Sequence, residues 1–320
     1  MATTQLNEFS KATENNSSFL KRSYIYQKER FPIAGHGLLI TAFSFSAISY
    51  SRICRGLTDF VSMDIFLPGV FITISLFLLL RISDEFKDAD DDAKFRRHLP
   101  VPRGLITFRE LKITAIAAFI SQLFVMAFCF PAMWSIYTIV IIYLLLMGKE
   151  FFIAEWLKKH QLWYVISHML IVPLIDVFAS GLDWKLAGAN PPAGLIFFFT
   201  VSFMNGIVLE IGRKIRPAEE EQKGVLTYSS MLGPTRATVL WIAALSATLI
   251  LSLLAASYAN LGTTPIYLLI IFFILSSFPA ILFIKNKNKK LAKTIEITSG
   301  LWTIAMYLTL GGIPMLREIL

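Results

Sequence analysis

The chain has 320 residues, of which 55% are hydrophobic and only 16% charged, against roughly 25% charged in an ordinary soluble domain. The apolar residues fall in long blocks rather than amphipathic stripes, which excludes a water-soluble globular fold and points to an all-α, polytopic membrane protein. The net charge of +8 comes from bases in the segments between apolar blocks, where an anionic lipid leaflet accounts for them, so no nucleic-acid partner is expected.

Residues 1–17 are polar and rich in Asn, Ser and Thr. They read as a disordered tail, with no cleavable signal peptide. Residues 18–30 mix aromatics with bases, including Phe19, Tyr24, Tyr26 and Arg30, and predict an interfacial helix. Nine spans follow, at about 33–54, 58–82, 110–129, 131–148, 161–181, 192–213, 236–258, 264–285 and 293–315. Each is in the roughly 17–25-residue range that crosses a bilayer. The break at Cys129-Phe130-Pro131 is short, which predicts an antiparallel hairpin of spans three and four. All of residues 1–320 are read as one transmembrane domain. Cys54 and Cys129, both near the outer ends of spans, read first as two small unpaired side chains and second as a disulfide. CxxC, HExxH, Walker A and GxSxG motifs are absent.

With the N-terminus in the cytoplasm, 26 Lys and Arg fall on the cytoplasmic side and four, Arg52, Arg55, Lys185 and Arg317, on the other. That asymmetry sets the orientation, and dropping one span would scramble it. The expected location is a cell inner membrane, with the loops after spans two, four, six and eight cytoplasmic.

Two of those loops concentrate acids. The first runs Asp84-Glu85-Phe86-Lys87-Asp88-Ala89-Asp90-Asp91-Asp92, six acids in nine residues, followed by Arg96, Arg97, His98 and Arg103. Carboxylates this close repel one another unless a cation sits among them. If the helix continues, Asp84, Asp88 and Asp92 share one face, and oxygen-only ligands suit Mg²⁺ bridging to a substrate phosphate. The second cluster starts at Glu210 near the end of span six, continues through Arg213, Lys214 and Arg216, and ends in Glu219-Glu220-Glu221 before Gly224. Acids that hold metal beside bases that take phosphate charge are what a Mg²⁺–diphosphate site requires. Charge-rich loops also arise as solvated, positive-inside anchors. The 84/88/92 spacing and the recurrence four spans later weigh against that reading. Deeper in the chain, His168 and Asp176 share a face of span five, and His36 and Asn205 could line the same cavity. Asp176 reads first as a structural polar contact and second as an acceptor-orienting group.

These residues resemble the UbiA superfamily of intramembrane prenyltransferases. Asp84 to Asp92 fits the superfamily's N-D-x-x-D-x-x-x-D spacing, with Asp84 in the Asn place and Glu85 in the first Asp place. Arg97 to Gly104 resembles the R-P-x-P-x-G segment that follows, and Glu29-Arg30-Phe31-Pro32 the segment before the first helix. The second motif departs: Glu220 takes one Asp place, the earlier place falls on Arg216 or Pro217, and Lys214 stands where an Asp often sits. The resemblance implies nine helices around a central cavity, Mg²⁺ as cofactor, an isoprenyl diphosphate donor and a lipophilic acceptor. It implies Asp84, Glu85, Asp88, Asp92 and Glu220 as metal ligands, with Asp88, Asp92 and Glu210 carrying catalysis. Arg96, Arg97, Arg103, Lys149, Arg213 and Lys214 become candidate diphosphate ligands. Two other readings stay open: a permease or divalent-cation transporter using Asp176, His168 and Glu210, and a lipid-binding homologue without catalysis.

Overall fold

The structure, a computed structural model, describes residues 17–222 and 224–319. The expected disordered tail falls, up to residue 16, outside the described residues. The described chain is helical, with no strands. Among the described residues nine helices are long and apolar enough to cross a membrane: Ile33–Cys54, Met63–Lys87, Phe108–Cys129, Pro131–Gly148, Gln161–Trp184, Leu195–Gly212, Pro234–Tyr258, Thr264–Lys285 and Lys289–Arg317. A further helix, Phe19–Arg30, precedes them, where the sequence predicts an interfacial one.

Local chemistry sets most ends. Gly56, at φ 73°, closes the first span, a conformation that suits a residue without a Cβ. Thr107 and Glu110 form a capping box at the start of the third span, and the Asn288 carbonyl accepts from the Leu291 amide at 2.9 Å to start the ninth. The fifth span is two helices broken at Leu170. Pro173 has no N–H to give the Met169 carbonyl, so the ladder is interrupted there. The second span begins and ends five residues later than the hydrophobic run suggests, at Met63 and Lys87. Asp84 and Glu85 therefore belong to its last turn rather than to a loop.

Spans six and seven pack together, as do one and five, seven and eight, and eight and nine. Gly311, in a π-helical turn of the ninth span, lies against the first: a Cβ there would meet the Ser46 carbonyl oxygen at 2.2 Å. Small residues permit this close backbone approach where lipid gives helices no hydrophobic drive to associate. Spans three and four join by a tight turn at Pro131–Met133. Each of the two also packs on the second span. Gln122 bridges this group, donating to the Ser75 hydroxyl at 2.7 Å and accepting from Tyr137 at 2.8 Å. At the end of the bundle away from the acidic run, Arg52 and Arg55 clamp buried Asp183 at 3.0 and 2.7 Å, tying the first span to the fifth. Cys54 and Cys129 are both free.

Candidate active site

The charged ends of spans two and six meet across a cavity of about 820 Å³. The backbone turns at Asp88 and resumes as a short helix, Ala89–Phe95. The Asp88 and Asp92 amides still reach the Asp84 and Asp88 carbonyls at 2.9 Å, so the four-residue repeat survives the break. The side chains nevertheless diverge. Asp84 and Asp88 line the cavity, whereas Asp92 is buried off its wall against Arg96 at 3.1 Å.

The acids of this run are taken up unequally. Glu85, almost fully buried, accepts from Arg30 at 2.6 Å and Arg81 at 2.8 Å and does not line the cavity. Asp84 is held by Lys87 at 3.1 Å. Asp88 makes no ion pair among the described residues. Burial pushes its carboxyl above the usual carboxylate range, while Lys87, Arg96 and Lys214 pull it back. Burial likewise raises Asp92, against Arg96. Lys214 is thus close enough to act on Asp88 from the opposite span.

At the end of the sixth span the balance reverses. Glu210 is buried and doubly paired, accepting from Arg213 Nε at 2.7 Å and from Lys214 Nζ at 2.6 Å. Arg213, Lys214 and Arg216 all line the cavity, and Arg216 has no ion pair among the described residues. Glu220 lies elsewhere: it meets exposed Lys289 at 3.0 Å and is off the cavity wall. Glu221 accepts from the Thr227 hydroxyl at 2.6 Å. Of the expected diphosphate ligands, Arg96, Arg213 and Lys214 line the cavity. Arg97 and Lys149 are exposed away from it. Arg103 is off the cavity wall and held by Glu29, with two contacts of 2.7 Å. Among the described residues no three His, Cys, Asp or Glu come close enough to form a metal cage.

Sequence reasoning passed over Arg30, Arg81, Lys87 and Tyr164, all on the cavity wall. Helical spacing held a signal for two of them, since Arg81 and Lys87 lie three residues either side of Asp84. Tyr164 accepts from Lys87 at 3.2 Å and stacks on His168. Deeper in, the wall is apolar, with Phe43, Phe77, Leu80, Met147 and Ile171. Polar groups interrupt it, among them His168 and Asn205. His168 Nδ1 is 2.8 Å from the Tyr164 carbonyl, a contact that requires the proton on Nδ1 and leaves Nε2 a lone pair. That Nε2 is buried and has no partner. Asn205 Oδ1 accepts from the Trp302 indole at 3.2 Å, which leaves its unpartnered Nδ2 as a donor. His36 also lines the cavity, while Asp176, fully buried, does not.

These features define an integral membrane protein whose helical bundle encloses a cavity, apolar inside and charged at one end. The family profile described as the UbiA prenyltransferase family matches residues 39–306, and the chain belongs to that family. No curated protein matches it in sequence. Among solved structures, the chain resembles an apo UbiA homologue from Aeropyrum pernix K1, with a TM-score of 0.64 and 13% identity over 89% of this chain and 98% of that one. It also resembles a digeranylgeranylglyceryl phosphate synthase, with a TM-score of 0.58 and 18% identity over 92% and 99% of the two chains. A UbiA homologue from Archaeoglobus fulgidus bound to GPP and Mg²⁺ aligns with a TM-score of 0.50 and 16% identity over 89% and 99%. At these identities the likeness is one of fold.

Proposed function

We propose that the protein transfers an isoprenyl group from an isoprenyl diphosphate to a lipophilic acceptor. The observation that carries this reading is the cavity itself: cations and Asp84/Asp88 gather at its charged end, and an apolar chamber continues inward. The charged end matches a diphosphate and the chamber an isoprenoid tail. We place the charged end on the cytoplasmic side of an inner membrane, on the 26-to-four division of bases, and take the nine spans as one domain.

Mg²⁺ is ordinarily held by one or two carboxylates, waters and substrate phosphates. Asp84 and Asp88 supply that donor set, one helical turn apart on the cavity wall. A Mg²⁺ ion bound there would offset charge on the departing diphosphate. Arg96, Arg213, Lys214 and Arg216 add charge-assisted hydrogen bonds to the phosphate oxygens. The allylic C1–O bond breaks, and its electron pair leaves with the diphosphate. The surrounding Phe, Leu, Ile and Met side chains keep water from the carbon that becomes electron-poor. The acceptor's nucleophilic atom bonds to C1, and its proton passes to His168 Nε2. Asn205 Nδ2 donates to an oxygen of the acceptor and orients it.

The test is a screen of labelled geranyl, farnesyl and geranylgeranyl diphosphates with membranes containing the protein. Label transferred to a lipid-soluble product is expected, and its loss in Asp88→Ala. Donor binding without transfer from any of the three would favour a lipid-binding homologue. Dependence on Asp176 but not on Asp84 or Asp88 would favour a transporter.

A further inference from the structure

The two charged corners of the cavity are not equivalent, and their difference concerns how many divalent ions accompany the substrate. This inference rests on the prenyl-transfer reading above.

At the corner formed by the second span, Asp88 is free of ion pairs among the described residues, with Arg30 and Arg81 committed to Glu85. At the corner formed by the sixth span the single carboxylate, Glu210, is already bound by two cations. A divalent ion there would have to displace both. It would then have one carboxylate, since among the described residues Glu220 lies off the wall against Lys289, Glu221 is engaged by Thr227, and Glu296, on the wall, is paired with Lys293 at 2.9 Å. Seven Lys and Arg line the cavity against four Asp and Glu. The surplus is positive, as binding of a diphosphate requires.

We propose that this chain binds the isoprenyl diphosphate with one divalent ion, on Asp84 and Asp88, and that Lys214, Arg213 and Arg216 occupy the place and electrostatic role of a second. Glu210 is a positioning residue: it fixes Arg213 and Lys214 toward the cavity from the last turn of the sixth span. A guanidinium presents a planar fork to phosphate oxygens and an ammonium a compact charge, so the three cations neutralise the end of the diphosphate remote from Asp88. Asp88 and Lys214 line the same cavity, so the two corners face one bound diphosphate.

The experiment counts metal ions directly. Purified full-length protein is titrated with Mn²⁺ in the presence of saturating geranyl S-thiolodiphosphate, whose C–S bond resists cleavage, and bound Mn²⁺ is read from the loss of the free-ion EPR signal. One Mn²⁺ per bound analogue is expected. Two, or none, overturns the inference and leaves prenyl transfer standing. Failure to bind the geranyl, farnesyl and geranylgeranyl analogues at any Mn²⁺ concentration overturns the functional reading as well. In Lys214→Gln, analogue affinity is expected to fall about tenfold at an unchanged Mn²⁺ count, as for loss of one charge-assisted bond. An unchanged affinity overturns the assignment of Lys214. The wild-type count stands by itself if the variant does not fold.

Discussion

The ends of the second and sixth spans occupy matching positions on opposite sides of one cavity, and each mixes carboxylates with bases. What separates them is which groups are already used. After the second span, Glu85 takes Arg30 and Arg81 and Asp84 takes Lys87, so an acid, Asp88, is left over. After the sixth, Glu210 takes Arg213 and Lys214, and a base, Arg216, is left over. The chemistry a charged cluster offers to a ligand is its unpaired remainder, not its composition. A count of acids would rank Glu85 and Asp92 with Asp88, whereas the pairing divides them.

The largest expected effect tests that division at Glu85. Its carboxylate is about 1% exposed and its partners are under 20% exposed. Removing one member of a buried pair leaves uncompensated charge and costs about 3–5 kcal/mol. Glu85→Ala should therefore lower the thermal midpoint strongly in detergent. A Glu85→Ala protein as stable as wild type that had lost bound Mn²⁺ would return Glu85 to the metal site. Asp88→Ala should do the reverse: turnover falls about 10²–10³-fold, the scale for loss of one preorganised electrostatic group, with little change in the melt. Because burial holds the Asp88 carboxyl above the usual carboxylate range, Mn²⁺ binding should weaken on acidification while an exposed Asp would still be ionised. Protonation removes the negative charge that holds the ion, so the loss runs toward low pH.

Much of the architecture was legible in the chain. Apolar blocks fixed by length and composition mark the spans, and the break at Pro131 marks an end that recurs in the structure. The division of labour at the site was not legible. Asp88 and Asp92 have the same spacing and chemistry, and the backbone turn at Asp88, which starts a new helix, decides which faces the cavity. Arg30 reaches Glu85 across 55 residues of sequence, a pairing no local pattern announces. His168 was visible as an intramembrane polar residue. Its role depends on Nδ1 being occupied by the Tyr164 carbonyl, which a helix-face argument leaves unspecified.

That orphaned Nε2 lies between the corners in mechanism, serving the acceptor rather than the diphosphate. His168→Asn should lower turnover about a hundredfold, the low end for a general base. Affinity for geranyl S-thiolodiphosphate should be unchanged, because no phosphate ligand is removed. A matching loss of donor affinity would place His168 with the diphosphate ligands instead.

The smallest expected effect carries the most weight for the comparison of the two corners. Glu220 pairs with Lys289 at 3.0 Å, and the two side chains are 38% and 76% exposed. Exposed pairs of this kind contribute about 0–1 kcal/mol, and neither residue lines the cavity. Glu220→Gln should therefore leave the thermal midpoint, the Mn²⁺ count and turnover where they are in wild type. Loss of turnover by more than about tenfold, roughly 1.4 kcal/mol, is too large for a surface pair. It would mean that residues 218–222 swing inward when the diphosphate binds and bring an acid to the sixth-span corner. The two corners would then be alike in the loaded enzyme and different only in the empty one. A measured count of two Mn²⁺ falling to one in Glu220→Gln would identify that carboxylate as the missing ligand.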